Sequence, residues 1–128
     1  KPDGTLYNHQ PLRVVMGIRE LSSSLRVFNS DAETVQYKTH SIQDVLSELW
    51  KIEVRHLLVE GGATVISEFI KQGLFDEILV YQAPLLIGGS NVAVEDLELN
   101  TMSEAIQLSF SEVKVLGKDV LFRAVRSN

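Results

Sequence analysis

Five consecutive residues, Glu60-Gly61-Gly62-Ala63-Thr64, stand between the apolar run Leu57-Leu58-Val59 and a stretch of helical periodicity. Two adjacent glycines let a backbone approach a phosphate closely, and the N–H groups at a helix start point outward into a field that favours an anion. Thr64 adds a hydroxyl donor. The spacing is that of neither GxGxxG nor a P-loop, so the same residues also read as a tight strand-to-helix turn. Glu60 falls at the C-terminal end of an expected strand, where open α/β sheets place their ligands. Its carboxylate suits a substrate hydroxyl or amine, and equally suits the backbone N–H groups of the helix start. A second pair, Gly88-Gly89 after Pro84-Leu85-Leu86-Ile87, either ends a strand or lies with the first along an extended ligand. Arg13 and Arg19 flank the first apolar strand. A guanidinium there has the bidentate geometry for phosphate, although most surface arginines are simply solvated.

Other chemistries find less support. With no cysteine there is no disulfide framework, thiolate metal site or cysteine nucleophile, and the cytoplasm is the default expectation for compartment. His9, His40 and His56 lack a chelating spacing, so no metal is expected. Asp76-Glu77 and the group Glu95, Asp96 and Glu98 read as solvated acidic faces, and no Ser-His-Asp order stands out. Twelve basic residues against seventeen acidic ones give a formal charge of −5 with no basic stripe, which argues against a nucleic-acid surface. The most apolar run, 78–89, is broken by Gln82 and Pro84 and is far shorter than the roughly 20 residues of a membrane helix.

The elements that must position these residues follow from periodicity. The 128 residues suffice for one domain with a core of its own. Residues 1–10 read as a polar loop and 11–128 as the domain. Leu12-Arg13-Val14-Val15-Met16 is a buried-strand pattern stopped by Gly17, and weaker extended stretches fall at 25–28 and 34–38. Ser41 followed by Asp44 has the form of a capping box and opens a helix over 42–51. A strand is expected at 55–59, then a helix through Val65, Ile66, Phe69 and Ile70 that Gly73 ends in the left-handed conformation. Residues 78–83 read as a strand covered on both faces. This alternation argues for parallel strands joined by crossover helices. The last third differs: Leu116-Gly117-Lys118-Asp119 between two alternating runs is a hairpin signal. Apolar residues shift from even positions (Ile106, Leu108, Phe110) to odd ones (Val113, Val115), which places a β-bulge near Ser111 and Glu112.

Five segments in order, Gln10-Pro11-Leu12-Arg13-Val14-Val15, Leu58-Val59-Glu60-Gly61-Gly62-Ala63-Thr64, Gly73-Leu74-Phe75-Asp76-Glu77, Ala83-Pro84-Leu85-Leu86-Ile87-Gly88-Gly89 and Leu116-Gly117-Lys118-Asp119-Val120, together resemble one family. It is the C-terminal reductase domain of the bifunctional bacterial riboflavin-biosynthesis proteins, the RibD family. The resemblance implies an α/β, dihydrofolate-reductase-like fold: a mixed, mostly parallel sheet flanked by helices, with a C-terminal antiparallel hairpin. It also implies NADPH-dependent reduction of 5-amino-6-(5-phosphoribosylamino)uracil, a pyrimidine ribosyl phosphate, to the ribitylamino product. By position, Gly61, Gly62, Ala63 and Thr64 would hold the NADPH pyrophosphate and Glu60 would lie near the substrate. Arg19 would face the 2′-phosphate, although Gly17 and Ile18 replace the Asp-Ser pair often seen there. A zinc deaminase domain in the same full-length chain, a homodimer, and no nucleic-acid or membrane partner complete the implied picture.

The opening Lys1-Pro2-Asp3-Gly4 has neither an initiator Met nor a signal pattern, so the chain is expected to start within a longer protein. The family's Ser-Leu-Asp-Gly-like strand, the helix after it and a Thr-containing loop are missing from it. An N-terminally truncated domain, inactive alone, is the resulting expectation. Two alternatives stand beside the reductase: a cofactor-binding or dimerising fragment without catalysis, and a dihydrofolate-reductase-like relative with another substrate.

Overall fold

The computed structural model describes residues 3–127; Lys1 and Pro2 of the expected loop and Asn128 at the end of the expected domain lie outside the described residues. The chain divides between Leu57 and Leu58 into two compact units.

In the first unit, strand β1 (Arg13–Met16) pairs in parallel with β2 (Thr34–Tyr37), Arg13 beside Thr34 and Met16 beside Tyr37. Backbone bonds extend the ladder at both ends, from Arg13 N–H to Glu33 O at 2.9 Å and from Gly17 N–H to Tyr37 O at 3.0 Å. Parallel strands need a long connection. Within it, Arg26–Phe28 forms a 3-10 turn where the sequence indicated an extended stretch. The reason lies in the Val27 carbonyl, which accepts from the Arg13 guanidinium at 2.9 Å and from Thr34 Oγ1 at 2.6 Å. Arg13 also donates to Asn29 Oδ1 at 2.7 Å. These side chains take the place of a neighbouring strand, and Arg13 is thereby committed to holding the connection.

Helix α1 (Ile42–Lys51) has the expected bounds. Ser41 Oγ accepts from Asp44 N–H at 3.2 Å, and Ile42, Val45 and Leu49 are buried at helical spacing. The reciprocal arm of a capping box is supplied differently: Ser41 N–H donates to Thr39 Oγ1 at 3.0 Å. The helix closes in a Schellman motif, with Glu53 N–H bonded to Trp50 O and Val54 N–H to Leu49 O, each at 3.0 Å. Glu53 therefore sits at φ 63°, a left-handed position occupied by a residue with a Cβ.

Residues 54–57, which end the first unit, and 58–62, which open the second, form neither helix nor ladder, so the strand expected at 55–59 is absent. Leu57-Leu58-Val59 has the composition of a strand, but strand propensity describes the fit to a neighbouring strand. Among the described residues no strand pairs with it, and Leu58 is 69% exposed. Helix α2 (Ala63–Lys71) follows. Its end is a second Schellman motif, Gly73 N–H to Ile70 O at 3.0 Å and Leu74 N–H to Phe69 O at 2.9 Å, with Gly73 at φ 66° as the sequence indicated.

Strands β3 (Glu77–Gln82), β4 (Leu108–Leu116) and β5 (Asp119–Arg126) form an antiparallel sheet in the order β3-β5-β4. Strand β3 was expected to be parallel and covered on both faces. It is instead an edge strand antiparallel to β5, with Leu79, Val80 and Tyr81 exposed. The β4–β5 hairpin is as expected. Leu116 pairs with Asp119, and Gly117 alone of the two loop residues has positive φ, the pattern of a type II′ turn. The register shifts between Phe110 and Glu112, which leaves Ser111 as the extra residue of a bulge. The α/β class and the terminal hairpin agree with the expectation. The strands, however, form a parallel pair and an antiparallel triplet in place of one mostly parallel sheet, because there is no ladder at 55–59 and, among the described residues, β3 pairs with β5 alone.

The two Schellman positions give opposite mutational outcomes. Glu53→Gly relieves a left-handed L-residue and is expected to raise stability by about 0.5–1 kcal/mol, while Gly73→Ala is expected to lower it by about 1–2 kcal/mol. Urea unfolding monitored by circular dichroism checks both, and equal shifts of the same sign would contradict the assignment.

Candidate functional site

The start of α2 carries no side-chain cap. Gly62 is the N-cap residue at φ −66° and ψ 170°, and no acidic residue falls in the first turn. The first N–H groups of the helix, those of Ala63, Thr64 and Val65 among them, have no intrahelical acceptor. The two glycines before them differ. A Cβ on Gly61 would lie 2.8 Å from Val65 Cβ, so glycine is required there by packing onto the first turn. A Cβ on Gly62 would meet nothing within 4 Å. Its backbone angles suit any residue, so nothing inside the chain demands glycine at 62, and this side of the turn is open.

Thr64 is exposed, but its hydroxyl is in use. Oγ1 donates to Glu95 Oε1 at 2.7 Å, and Glu95 N–H donates to Ser67 Oγ, also at 2.7 Å. Ser67 is buried one turn along the helix. Glu95 is thus held to α2 through both backbone and side chain, with its charge beside the positive end of the helix dipole. By sequence alone, Glu95 belongs to a solvated acidic face and Thr64 is a donor for a ligand. Across 31 residues of chain, no periodicity or spacing links the two. Only the path of the loop after β3 brings them together.

Glu60 is exposed, three positions before Ala63, and makes no hydrogen bond or ion pair among the described residues. The strand expected to end at it is not formed, and it does not cap α2. Its carboxylate is free to act on something else. Gly88 and Gly89 have φ of 70° and 98° in an exposed loop with open space around both. Arg19 lies in the first unit, in the loop that follows β1. Its guanidinium is exposed and has no partner among the described residues. A cleft of about 450 Å³ lies at the other end of α2, lined by Ile70, Lys71, Gly73, Leu97, Leu99 and Arg126. There the hydrogen bond from Lys71 to Glu98 holds the ammonium pKa above its usual range. The helix separates this cleft from the glycine turn by roughly 13 Å.

This ordering, a Gly-Gly turn opening one helix, a loop returning to it, and a bulged hairpin at the end of the chain, can be set against known proteins. Residues 1–122 match the model of the RibD C-terminal domain. The chain belongs to this family. It is 37% identical over 123 residues to the riboflavin biosynthesis protein RibD of Mycobacterium tuberculosis, covering 96% of this chain and 36% of that protein. With the RibD of Corynebacterium ammoniagenes the identity is 43% over 115 residues, covering 84% and 32%. An Archaeoglobus fulgidus protein named 2,5-diamino-6-ribosylamino-4(3H)-pyrimidinone 5′-phosphate reductase is 34% identical over 104 residues, covering 62% of this chain and 48% of that protein. The chain thus spans about a third of the RibD proteins it matches. Among solved structures, Acinetobacter baumannii RibD superposes with a TM-score of 0.82 at 23% identity, over 96% of this chain and 41% of that one. A Thermotoga maritima deaminase/5-amino-6-(5-phosphoribosylamino)uracil reductase gives 0.76 at 19% identity, over 91% and 38%. These likenesses show the RibD reductase fold.

The two glycines separate experimentally. Gly61→Ala is expected to lose about 2–3 kcal/mol through its clash with Val65, whereas Gly62→Ala is expected to lose no more than about 1 kcal/mol, through the poorer N-cap that alanine makes. Thermal unfolding measures both, and a Gly62→Ala loss as large as that of Gly61→Ala would refute the open side of the turn.

Proposed function

We propose that the chain is the reductase part of a riboflavin-biosynthesis enzyme that reduces 5-amino-6-(5-phosphoribosylamino)uracil to its ribitylamino product with NADPH. The observation that carries this reading is the uncapped start of α2 with its open side at Gly62. In a family whose relatives are named as reductases of ribosylamino-pyrimidine phosphates, such a turn suits a dinucleotide pyrophosphate. The residues fit an anionic cofactor: free N–H groups at one place and an unpaired guanidinium at another. NADPH, when bound, supplies the hydride.

The roles of the chain's own residues follow. Gly61 and Gly62 bring the backbone close to the pyrophosphate, and the N–H groups of Ala63 and Thr64 donate to its oxygens. The Thr64 hydroxyl joins them once the Glu95 carboxylate lets it go. Arg19 pairs with the 2′-phosphate by its planar fork of donors. Glu60, free of intramolecular partners, orients the ribose of the substrate or relays a proton to it. The reading extends to the setting: a cytoplasmic homodimer, with a deaminase domain in the same full-length chain.

Calorimetric titration of the chain with NADPH and with NADH tests the cofactor reading. Saturable binding that favours NADPH is expected, and no binding of either would sink it. Glu95→Gln removes a competing charge from the helix start and is expected to tighten NADPH roughly two- to fivefold. In the full-length enzyme, Glu60→Gln is expected to lower turnover at least about tenfold with little change in NADPH affinity. Unchanged kinetics would remove Glu60 from the reaction.

A further inference from the structure

The loop that carries Arg19 is held from the neighbouring strand by one side chain. Strand β1 ends at Met16, and Gly17 turns the chain at φ 140°, a conformation that residues with a Cβ rarely adopt. Nothing lies within 4 Å of where its Cβ would be, so the backbone angle, not crowding, calls for glycine. From the middle of β2, the Gln36 amide donates from Nε2 to Arg19 O at 3.1 Å and, at 3.4 Å, to Gly17 O. A single NH2 group therefore ties two carbonyls on either side of Ile18. Two residues on, Lys38 Nζ lies 2.5 Å from Glu20 Oε1. The loop backbone is anchored while the side chains of Ile18 and Arg19 stay exposed.

We propose that Gln36 is a positioning residue: by bonding the Gly17 and Arg19 carbonyls it presets the Arg19 backbone so that the guanidinium meets the 2′-phosphate of NADPH, and it thereby sets the preference for NADPH over NADH. This rests on the reading of Arg19 given above. The Lys38–Glu20 pair is a weaker anchor, because both side chains are more than half exposed and surface ion pairs of that kind contribute little. Its clearer effect is to offset the Glu20 charge next to the proposed phosphate contact. The Gln36 bonds are different in kind. They join a half-buried strand residue to backbone atoms, and the strand pair itself is built from backbone bonds that do not need the Gln36 side chain. A bidentate arginine contact depends on the direction from which the long side chain leaves the backbone, and an anchored backbone leaves fewer wrong directions to exclude on binding.

The test measures NADPH and NADH affinities by calorimetry for the chain as it stands and for Arg19→Ala, Gln36→Ala, Gln36→Met and the double variant Arg19→Ala/Gln36→Ala. Gln36→Met keeps length and removes both bonds. Arg19→Ala is expected to reduce the NADPH-to-NADH preference about tenfold or more. Each Gln36 variant is expected to reduce it roughly three- to tenfold, through NADPH alone, with NADH affinity unchanged. In the double variant the preference should fall no further than in Arg19→Ala, since the two residues act through one contact. A merely structural role would weaken both cofactors alike and leave the ratio where it was. A ratio unchanged in both Gln36 variants while Arg19→Ala loses it would overturn this inference and leave the Arg19 reading intact. A parent chain with no preference, or none lost in Arg19→Ala, would overturn both together. Failure of both Gln36 variants to fold, seen by circular dichroism, would assign the residue to the scaffold and overturn the inference as well.

Discussion

The N–H groups at the first turn of α2 must find acceptors, and no side chain of their own turn provides one. The arrangement around the site is organised by that demand. Gly61 is small because the chain has to pass close to Val65 to enter the helix, and Gly62 leaves the approach to the N–H groups clear. The loop after β3 brings Glu95 to the same turn, where it accepts from Thr64 while its own N–H is held by the buried Ser67. A carboxylate at this end of a helix is electrostatically favoured. It also has the charge of the group proposed to bind there, so the resting arrangement and the ligand-bound one compete for the same donors.

In the first unit the recurring device is a side chain that replaces a backbone partner. A two-stranded parallel ladder is short, and among the described residues the connection between its strands pairs with no third strand. Arg13, Thr34 and Gln36 meet that need by bonding carbonyls of the connection. The consequence is a division of labour between two arginines that look alike in sequence. Arg13 is spent on Val27 and Asn29, and Arg19 is left exposed at the head of a loop whose backbone is held. The second unit relies more on ladder bonds, with β5 paired along its length on both sides.

Much of this was legible in the residues because the deciding physics is local. Ser41 and the spacing of Ile42, Val45 and Leu49 specify α1; Gly73 specifies the end of α2; Leu116-Gly117-Lys118-Asp119 specifies the hairpin; and the change of apolar parity after Phe110 specifies the bulge at Ser111. Each depends on a few neighbouring residues whose backbone angles or facing directions admit one solution. The order of the five segments is enough to indicate the family, in agreement with the match of residues 1–122 to the RibD C-terminal domain.

The misplaced elements depended on partners far along the chain. Residues 55–59 have strand composition, but a strand exists only where another strand meets it; β3 became an antiparallel edge because β5 is the strand that meets it. The 3-10 turn at Arg26–Phe28 was set by donors from Arg13 and Thr34. The same holds at the site. Sequence alone determined that a Gly-Gly turn opens a helix and that Glu60 precedes it, since those are matters of adjacent residues. Tertiary structure decided that Glu95 takes the Thr64 hydroxyl and that Gln36 holds the Arg19 loop, because hydrogen bonds between residues remote in sequence depend on where the fold carries the chain, and no local pattern encodes that path.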